Sequence, residues 1–437
     1  MINRFGMNNR LYRSVIFFSV YMVEMIVTVV TLSYFPAIFG MMGIDPIIYG
    51  FVGGLSLFPM TFKFFIGPIS DKFPIPFIRG KRKGYIILGA LLNIILLPFL
   101  ALNPLTFFTL FFTIWFFQTL GIAIMDIMTD ALAIETEELQ TPRGRTEASV
   151  IMFFGSFVGG YIVTYFIPLM MSDLQLTLII FALISCIPLG LILFLKEQQK
   201  LEEAPKISFC EAVKQGLSHS FVWWGILFAF ILNIDGGLLE LTLEPYLTMT
   251  LGVPIQAVIA DLFYISLIGS ALAIAGFFFI DRVKKTRLLI IIAIIYMVPL
   301  AILGYTTATS TLTYDLFLWL YGVFTLLSGL SFVTYVALFF DLSDPKVAGT
   351  MIALFFTLNN AGRLLGIMIG GFFTISTIYF IAIGLTAFRI LPLLKINTEE
   401  VEKTYYHTPP RPFKSSDILF AIIPGIFIIV ILLLRFL

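Results

Sequence analysis

The placement of lysine and arginine constrains this chain more than any other feature. Of its 27 Lys and Arg residues, 24 fall in alternate polar segments between long apolar runs or, for Arg389, near the end of the run that leads into one, and the segments in between hold none. Cations are retained on the cytoplasmic side of a membrane. The alternation therefore sets both the number of crossings and their direction, with the N-terminus in the cytoplasm. The apolar runs are 14–41, 47–70, 84–102, 104–134, 147–171, 174–195, 219–250, 254–280, 288–306, 312–340, 348–372 and 374–393. A hydrocarbon core of about 30 Å needs about 20 helical residues, and each of these runs supplies that number or close to it.

Composition agrees. Hydrophobic residues make up 59% of the 437, and charged residues only 12%, against roughly 25% in a soluble domain. Mean hydropathy is +1.02. The expectation is an all-α polytopic membrane protein, in the cell membrane and monomeric, with the lipid bilayer as its surroundings. A net charge of +1 gives no case for nucleic acid. Cys186 and Cys210 form neither a disulfide framework nor a metal-ligand spacing. The first run is longer than a signal-peptide core and ends without a small-x-small cleavage site, so it reads as a retained first helix. No phosphate-binding Gly-x-x-x-x-Gly-Lys loop occurs. No nucleophile–base pair or metal-ligand set lies at membrane depth, so neither an enzyme nor a cofactor is expected.

The two halves repeat. Residues 34–46, "YFPAIFGMMGIDP", align with 243–254, "LEPYLTMTLGVP", and 141–160 align with 343–363, at an offset of about 205. The predicted organisation is an N-terminal six-helix half (1–195), a cytoplasmic linker (196–218), a C-terminal six-helix half (219–393), then a polar segment and a thirteenth span within 394–437. A re-entrant or surface-lying segment is the alternative for 417–437. Two halves that start on the same side form a parallel repeat, the arrangement in which solute binds where the halves meet.

Ionisable residues at bilayer depth are costly and mark functional positions. The candidates are Glu24, Lys63, Asp126, Asp130, Asp235 and Arg363, with Glu240, Glu244 and Asp261 alongside. The third, sixth and ninth spans carry none in their interiors. Depth matches Lys63 with Asp126 or Asp130, as part of a solute site or as a packing ion pair. Glu24 is a proton or solute site, or a protonated group in a packed interface. Arg363 suits a solute carboxylate or phosphate, or a structural partner such as Asp261 or Asp235. Gly236–Gly237 can loosen the seventh span beside Asp235, whereas Glu240 and Glu244 are expected near the outer mouth, in water. Gly155-x-x-x-Gly159 and Gly366-x-x-x-Gly370 have the spacing of close helix crossings.

The stretch 63–86, "KFFIGPISDKFPIPFIRGKRKGYI", contains Gly67-x-x-x-Asp71-Lys72 and then Arg79-Gly80-Lys81-Arg82-Lys83. It resembles the loop between helices 2 and 3 of the major facilitator superfamily. The longer spacing, the insertion "FPIPFI" and the fourth-span sequence "DIMTDALAIE" (126–135) resemble the folate–biopterin transporter family. The superfamily resemblance covers the first twelve spans; the narrower one rests on about 35 residues. Phe64-Phe65 and Lys83-Gly84-Tyr85 depart from the narrower pattern.

The resemblance implies a secondary active transporter that alternates access by rocking two halves. Its cargo would be a small organic solute, a folate- or pteridine-like anion being the expectation, with a proton as coupling ion and sodium fitting the same carboxylates. Gly67, Asp71, Arg79 and Arg82 would form a cytoplasmic gate loop. A sugar, peptide or coenzyme carrier, or a non-transporting assembly factor on the same scaffold, are the other readings.

Overall fold

The structure is a computed structural model. It describes residues 5–405 except 36–38, 40–41, 43–54, 57, 74, 79, 137–138, 140–141, 197–210, 212–213, 215–216, 241, 244–245, 255–256, 259, 267–275, 277–278, 345–346 and 371. The helices are α1 Arg10–Val29, α2 Lys63–Lys72, α3 Lys83–Leu96, α4 Phe108–Glu135, α5 Pro142–Ser172, α6 Leu174–Phe194 and α7 Ser220–Leu232. They continue with α8 Ile234–Glu240, α9 Lys285–Ala308, α10 Tyr314–Leu342, α11 Ala348–Gly370, α12 Ile375–Phe388, α13 Ile390–Lys395 and α14 Thr398–Tyr405.

Ten helical stretches among the described residues are long and apolar enough to cross a membrane. They coincide with ten of the twelve expected spans. The second and eighth expected spans fall partly outside the described residues, and the thirteenth falls wholly outside. No strand occurs among the described residues, only an isolated bridge between Gly6 and Lys196. The fold is that of an all-α polytopic membrane protein.

Helix ends follow local chemistry. Asn9 caps α1 by accepting from Tyr12 N at 3.3 Å, and Asp173 caps α6 by accepting from Leu176 N at 2.9 Å. Each acceptor satisfies one of the N–H groups left open by the first helical turn. At the other end of α6, Lys83 Nζ donates to the Leu193 and Leu195 carbonyls at 2.7 and 3.0 Å. Pro168, Pro188 and Pro299 sit inside α5, α6 and α9. Transmembrane helices tolerate this because neighbouring groups re-satisfy the freed carbonyls.

The chain forms two compact units. Unit 1 comprises Met1–Leu139, Val158–Ser220 and Ser343–Asn360; unit 2 comprises Gln140–Phe157, Phe221–Leu342 and Ala361–Leu437. In unit 1, Gly89 of α3 and Gly121 of α4 each lie against the other's carbonyl oxygen, with no room for a Cβ. A buried polar chain crosses the same helices. Gln118 Nε2 donates to Asn93 Oδ1 at 2.7 Å, and Asn93 Nδ2 donates to Ser185 Oγ of α6 at 3.0 Å. Phe35, Phe39, Phe111 and Trp115 interlock edge-to-face, with centroids 5.4 to 6.1 Å apart. In unit 2, Leu238, Leu300, Leu303, Phe317 and Tyr379 form the buried core.

One packing device occurs in both units. Gly159 of α5 lies against the Met22 carbonyl of α1, and Gly362 of α11 lies against the Phe230 carbonyl of α7. Gly366 and Gly370 extend the second contact to Ile234 and Leu238. Small residues let helix backbones approach closely where lipid provides no hydrophobic drive.

Candidate functional site

In unit 1 the acidic groups converge on Tyr21. Its hydroxyl donates to Asp130 Oδ1. Asp126 and Asp130 are one helical turn apart on α4 and both are buried; Glu24, three residues beyond Tyr21 on α1, is half-buried. Tyr21 is a neutral neighbour of these acids that the search for charged residues passed over. Lys63 is the first residue of α2. Its side chain, and so its expected pairing with Asp126 or Asp130, lies outside the described residues.

The gate-loop residues divide. Arg82, at the start of α3, is fully buried rather than a loop cation in water. Its guanidinium meets Glu135 at the end of α4, 2.5 Å at the nearest, and also donates to Ser70 Oγ. Ser70 in turn donates to the Gly67 carbonyl at 2.7 Å, so Gly67 and Arg82 share one hydrogen-bonded chain. Tyr85 Oη donates to the Phe73 carbonyl at 2.5 Å. This ties the insertion back to α3. The Asp71 side chain and Arg79 lie outside the described residues.

In unit 2, Arg363 binds Glu240 through both nitrogens of one guanidinium edge. Nε reaches Oε2 at 2.8 Å and Nη2 reaches Oε1 at 2.7 Å. This corrects two expectations. The structural partner of Arg363 is neither Asp261 nor Asp235, and Glu240 is an ion-pair member rather than a water-exposed group at the mouth. Their side chains remain 34% and 19% exposed at the protein surface. Asp261 accepts from Tyr314 Oη at 3.2 Å instead.

Asp235 is buried on α8, and its carboxylate receives Gly236 N at 2.9 Å. Its second oxygen faces Arg389 Nη1 and Thr386 Oγ1, each at 3.5 Å. Arg389 also stacks 5.2 Å from the Tyr296 ring centroid. Gly237 does not loosen the helix beside Asp235. The break falls at Asn233, between α7 and α8, and Gly237 packs against the Arg363 carbonyl.

Sequence reasoning missed the Arg82–Glu135 pair and also a second one, Lys285 Nζ with Asp341 Oδ2 at 2.6 Å. It joins the start of α9 to the end of α10, as Arg82–Glu135 joins the start of α3 to the end of α4. The signal was present. Lys285 lies 203 positions after Arg82 and Asp341 lies 206 after Glu135, both at the repeat offset. Among the described residues, no group of three or more His, Cys, Asp or Glu is placed to hold a metal ion.

Long apolar helices, close glycine crossings and buried ion pairs between them define a polytopic membrane protein built from a repeated helical unit. The chain belongs to the Major Facilitator Superfamily, whose family model matches residues 14–367. No curated protein matches it by sequence.

Solved structures resemble it in fold. The proton:xylose symporter XylE, from E. coli, is 13% identical with a TM-score of 0.67, covering 90% of this chain and 98% of its own. The human organic anion transporter MFSD10 (TETRAN) is 12% identical with a TM-score of 0.67, covering 88% and 99%. The E. coli fucose:proton symporter FucP is 14% identical with a TM-score of 0.61, covering 88% and 98%.

Proposed function

We propose that this protein is a secondary active transporter that carries a small organic anion across the cell membrane, coupled to protons. The observation that carries the reading is Arg363. It is a permanently charged guanidinium about fifteen residues into α11, roughly 22 Å along the helix at 1.5 Å per residue. A third of its side chain is not covered by protein. An arginine at that depth is expensive unless it serves a pathway, and its planar fork matches a carboxylate or phosphate.

The supporting arrangement is a division of labour. Arg363 and Lys63 are the cations assigned to the anion's negative groups, and Asp235 belongs to the same half of the chain as Arg363. Glu24, Asp126 and Asp130, gathered around Tyr21, supply the proton-exchanging carboxylates. The two six-helix halves, 1–195 and 219–393, alternate access by rocking, and the loop carrying Gly67, Asp71, Arg79 and Arg82 closes the cytoplasmic side, where the N-terminus lies. A folate- or pteridine-like anion is the finer reading, carried by the stretches 63–86 and 126–135. The titles of the XylE and FucP structures name sugar:proton symporters. They favour a sugar as the second reading of the cargo and support a proton as the coupling ion.

The test is uptake into proteoliposomes. Labelled folate, benzoate and xylose are offered with an inward proton gradient, with a sodium gradient, and with neither. Proton-driven accumulation of an anion, lost in Arg363→Gln, is the expected result. Accumulation of xylose alone moves the protein to the sugar reading. Anion uptake that is unchanged when the proton gradient is collapsed removes proton coupling.

A further inference from the structure

We propose that Glu240 occupies the place of the transported anion, so that a carboxylate-bearing solute binds by displacing it from Arg363. This inference rests on the reading of Arg363 as the anion contact and adds the group that the solute replaces.

Three observations carry it. The first is shape. Two parallel contacts of 2.7 and 2.8 Å are the fork geometry by which a guanidinium recognises any carboxylate. A solute carboxylate set on the same edge would make the same two bonds. The second is access. The pair is at membrane depth, yet its side chains are 34% and 19% exposed, unlike Lys285 and Asp341 at 6% each. The helix contact does not depend on this pair, because the joint here is made elsewhere. Gly362, Gly366 and Gly237 already bring the backbones of α11, α7 and α8 into contact.

The third is asymmetry within the pair. The Arg363 backbone is pinned, with its carbonyl against Gly237. Glu240 is the last residue of α8, where the helix presents its carbonyl ends and an anionic side chain is disfavoured. That contact holds the backbones of both helices, so the difference lies in the side chains: Glu240, disfavoured at its helix end, is the member of the pair that is easier to displace. A built-in competitor lowers affinity for the solute but lets it leave. A transporter needs both properties, since a site that binds too tightly cannot release.

The experiment measures binding by thermal shift and equilibrium dialysis in purified wild-type, Glu240→Gln, Glu240→Asp and Arg363→Gln proteins. The probes are benzoate, succinate and folate, each paired with its neutral methyl ester. Displacement predicts that Glu240→Gln binds carboxylates at least tenfold tighter than wild type. Glu240→Asp, which keeps the charge but shortens the reach, should fall between them. The esters should show no such gain, and Arg363→Gln should bind no carboxylate.

Equal carboxylate affinity in wild type, Glu240→Gln and Glu240→Asp, still lost in Arg363→Gln, overturns displacement and leaves the anion reading standing. Weaker binding in Glu240→Gln also overturns it. If Glu240→Gln does not fold, Glu240→Asp alone decides, since equal affinity in it and wild type has the same consequence. Failure of every carboxylate to bind every protein overturns the anion reading itself, and the inference with it.

Discussion

Unit 1 and unit 2 use the same joint with different chemistry. In unit 1, Arg82 at the start of α3 holds Glu135 at the end of α4; in unit 2, Lys285 at the start of α9 holds Asp341 at the end of α10. The first joint is lopsided, because Arg82 is fully buried and the Glu135 side chain is 30% exposed. It recruits Ser70 of α2 as well, so one guanidinium ties three helices. The second joint is symmetric, with both side chains 6% exposed, and its ammonium is a point charge joining two helices. A fork can bridge several elements and a point charge pins one contact. Which partner can be removed safely then depends on which one water can reach.

The largest effects should break this comparison at the buried partners. Taking one member from a buried ion pair costs about 3–5 kcal/mol, because the other charge loses its compensation without gaining water. Lys285→Met, which removes the ammonium from Asp341, and Glu135→Gln, which removes the carboxylate from Arg82, should both fall in that range. Arg82→Met should cost less than Glu135→Gln, since Glu135 can hydrate. Thermal unfolding in detergent measures all three, and equal losses for Arg82→Met and Glu135→Gln would show that exposure does not set the difference.

Overpacking comes next. Gly159→Ala and Gly362→Ala each place a Cβ against a backbone carbonyl that belongs to another helix. Each should cost about 1–3 kcal/mol and to a similar extent, because the two glycines are repeat equivalents. A large loss at one and none at the other would mean that the repeat is conserved in shape but not in load. Arg82→Lys should be milder again, about 1 kcal/mol. It keeps the charge on Glu135 but gives up the hydrogen bond to Ser70.

How far the sequence revealed these features follows from their range. The apolar spans were legible because each is a local property of about 20 residues, and ten are present as helices among the described residues. The glycine crossings at Gly159 and Gly366 were legible because four-residue spacing reports one helix face. The acidic group on Tyr21 was half legible. Glu24, Asp126 and Asp130 were each marked by a charge at membrane depth, but their meeting was not predicted, and a neutral phenol carries no charge to mark it. The partners in unit 2 were not legible. Arg363 could reach several carboxylates by depth alone, and the choice of Glu240 depends on the rotation of α11 against α8, which the backbone contacts at Gly237 and Gly362 set. Lys285–Asp341 could have been found by carrying Arg82 and Glu135 across the repeat, since lysine for arginine and aspartate for glutamate preserve the charges.

The smallest effect belongs to a third pair of the same charge type, placed in water. Lys284, next to Lys285 in sequence, meets Glu399 of α14 at 2.5 Å, and the two side chains are 44% and 62% exposed. The hydrogen bond and then the charge of Lys284 lower the Glu399 carboxyl from its ordinary value. A carboxyl lowered on folding contributes stability above its unfolded pKa and loses it as pH falls through the folded one. The contribution should therefore be present at neutral pH and vanish in acid. Solvent and salt screen such a pair strongly. Glu399→Gln should lower the melting temperature slightly at pH 7 in low salt, and not measurably at pH 3 or in 1 M salt. A loss as large as that of Lys285→Met would show that burial is not what separates neighbouring lysines 284 and 285.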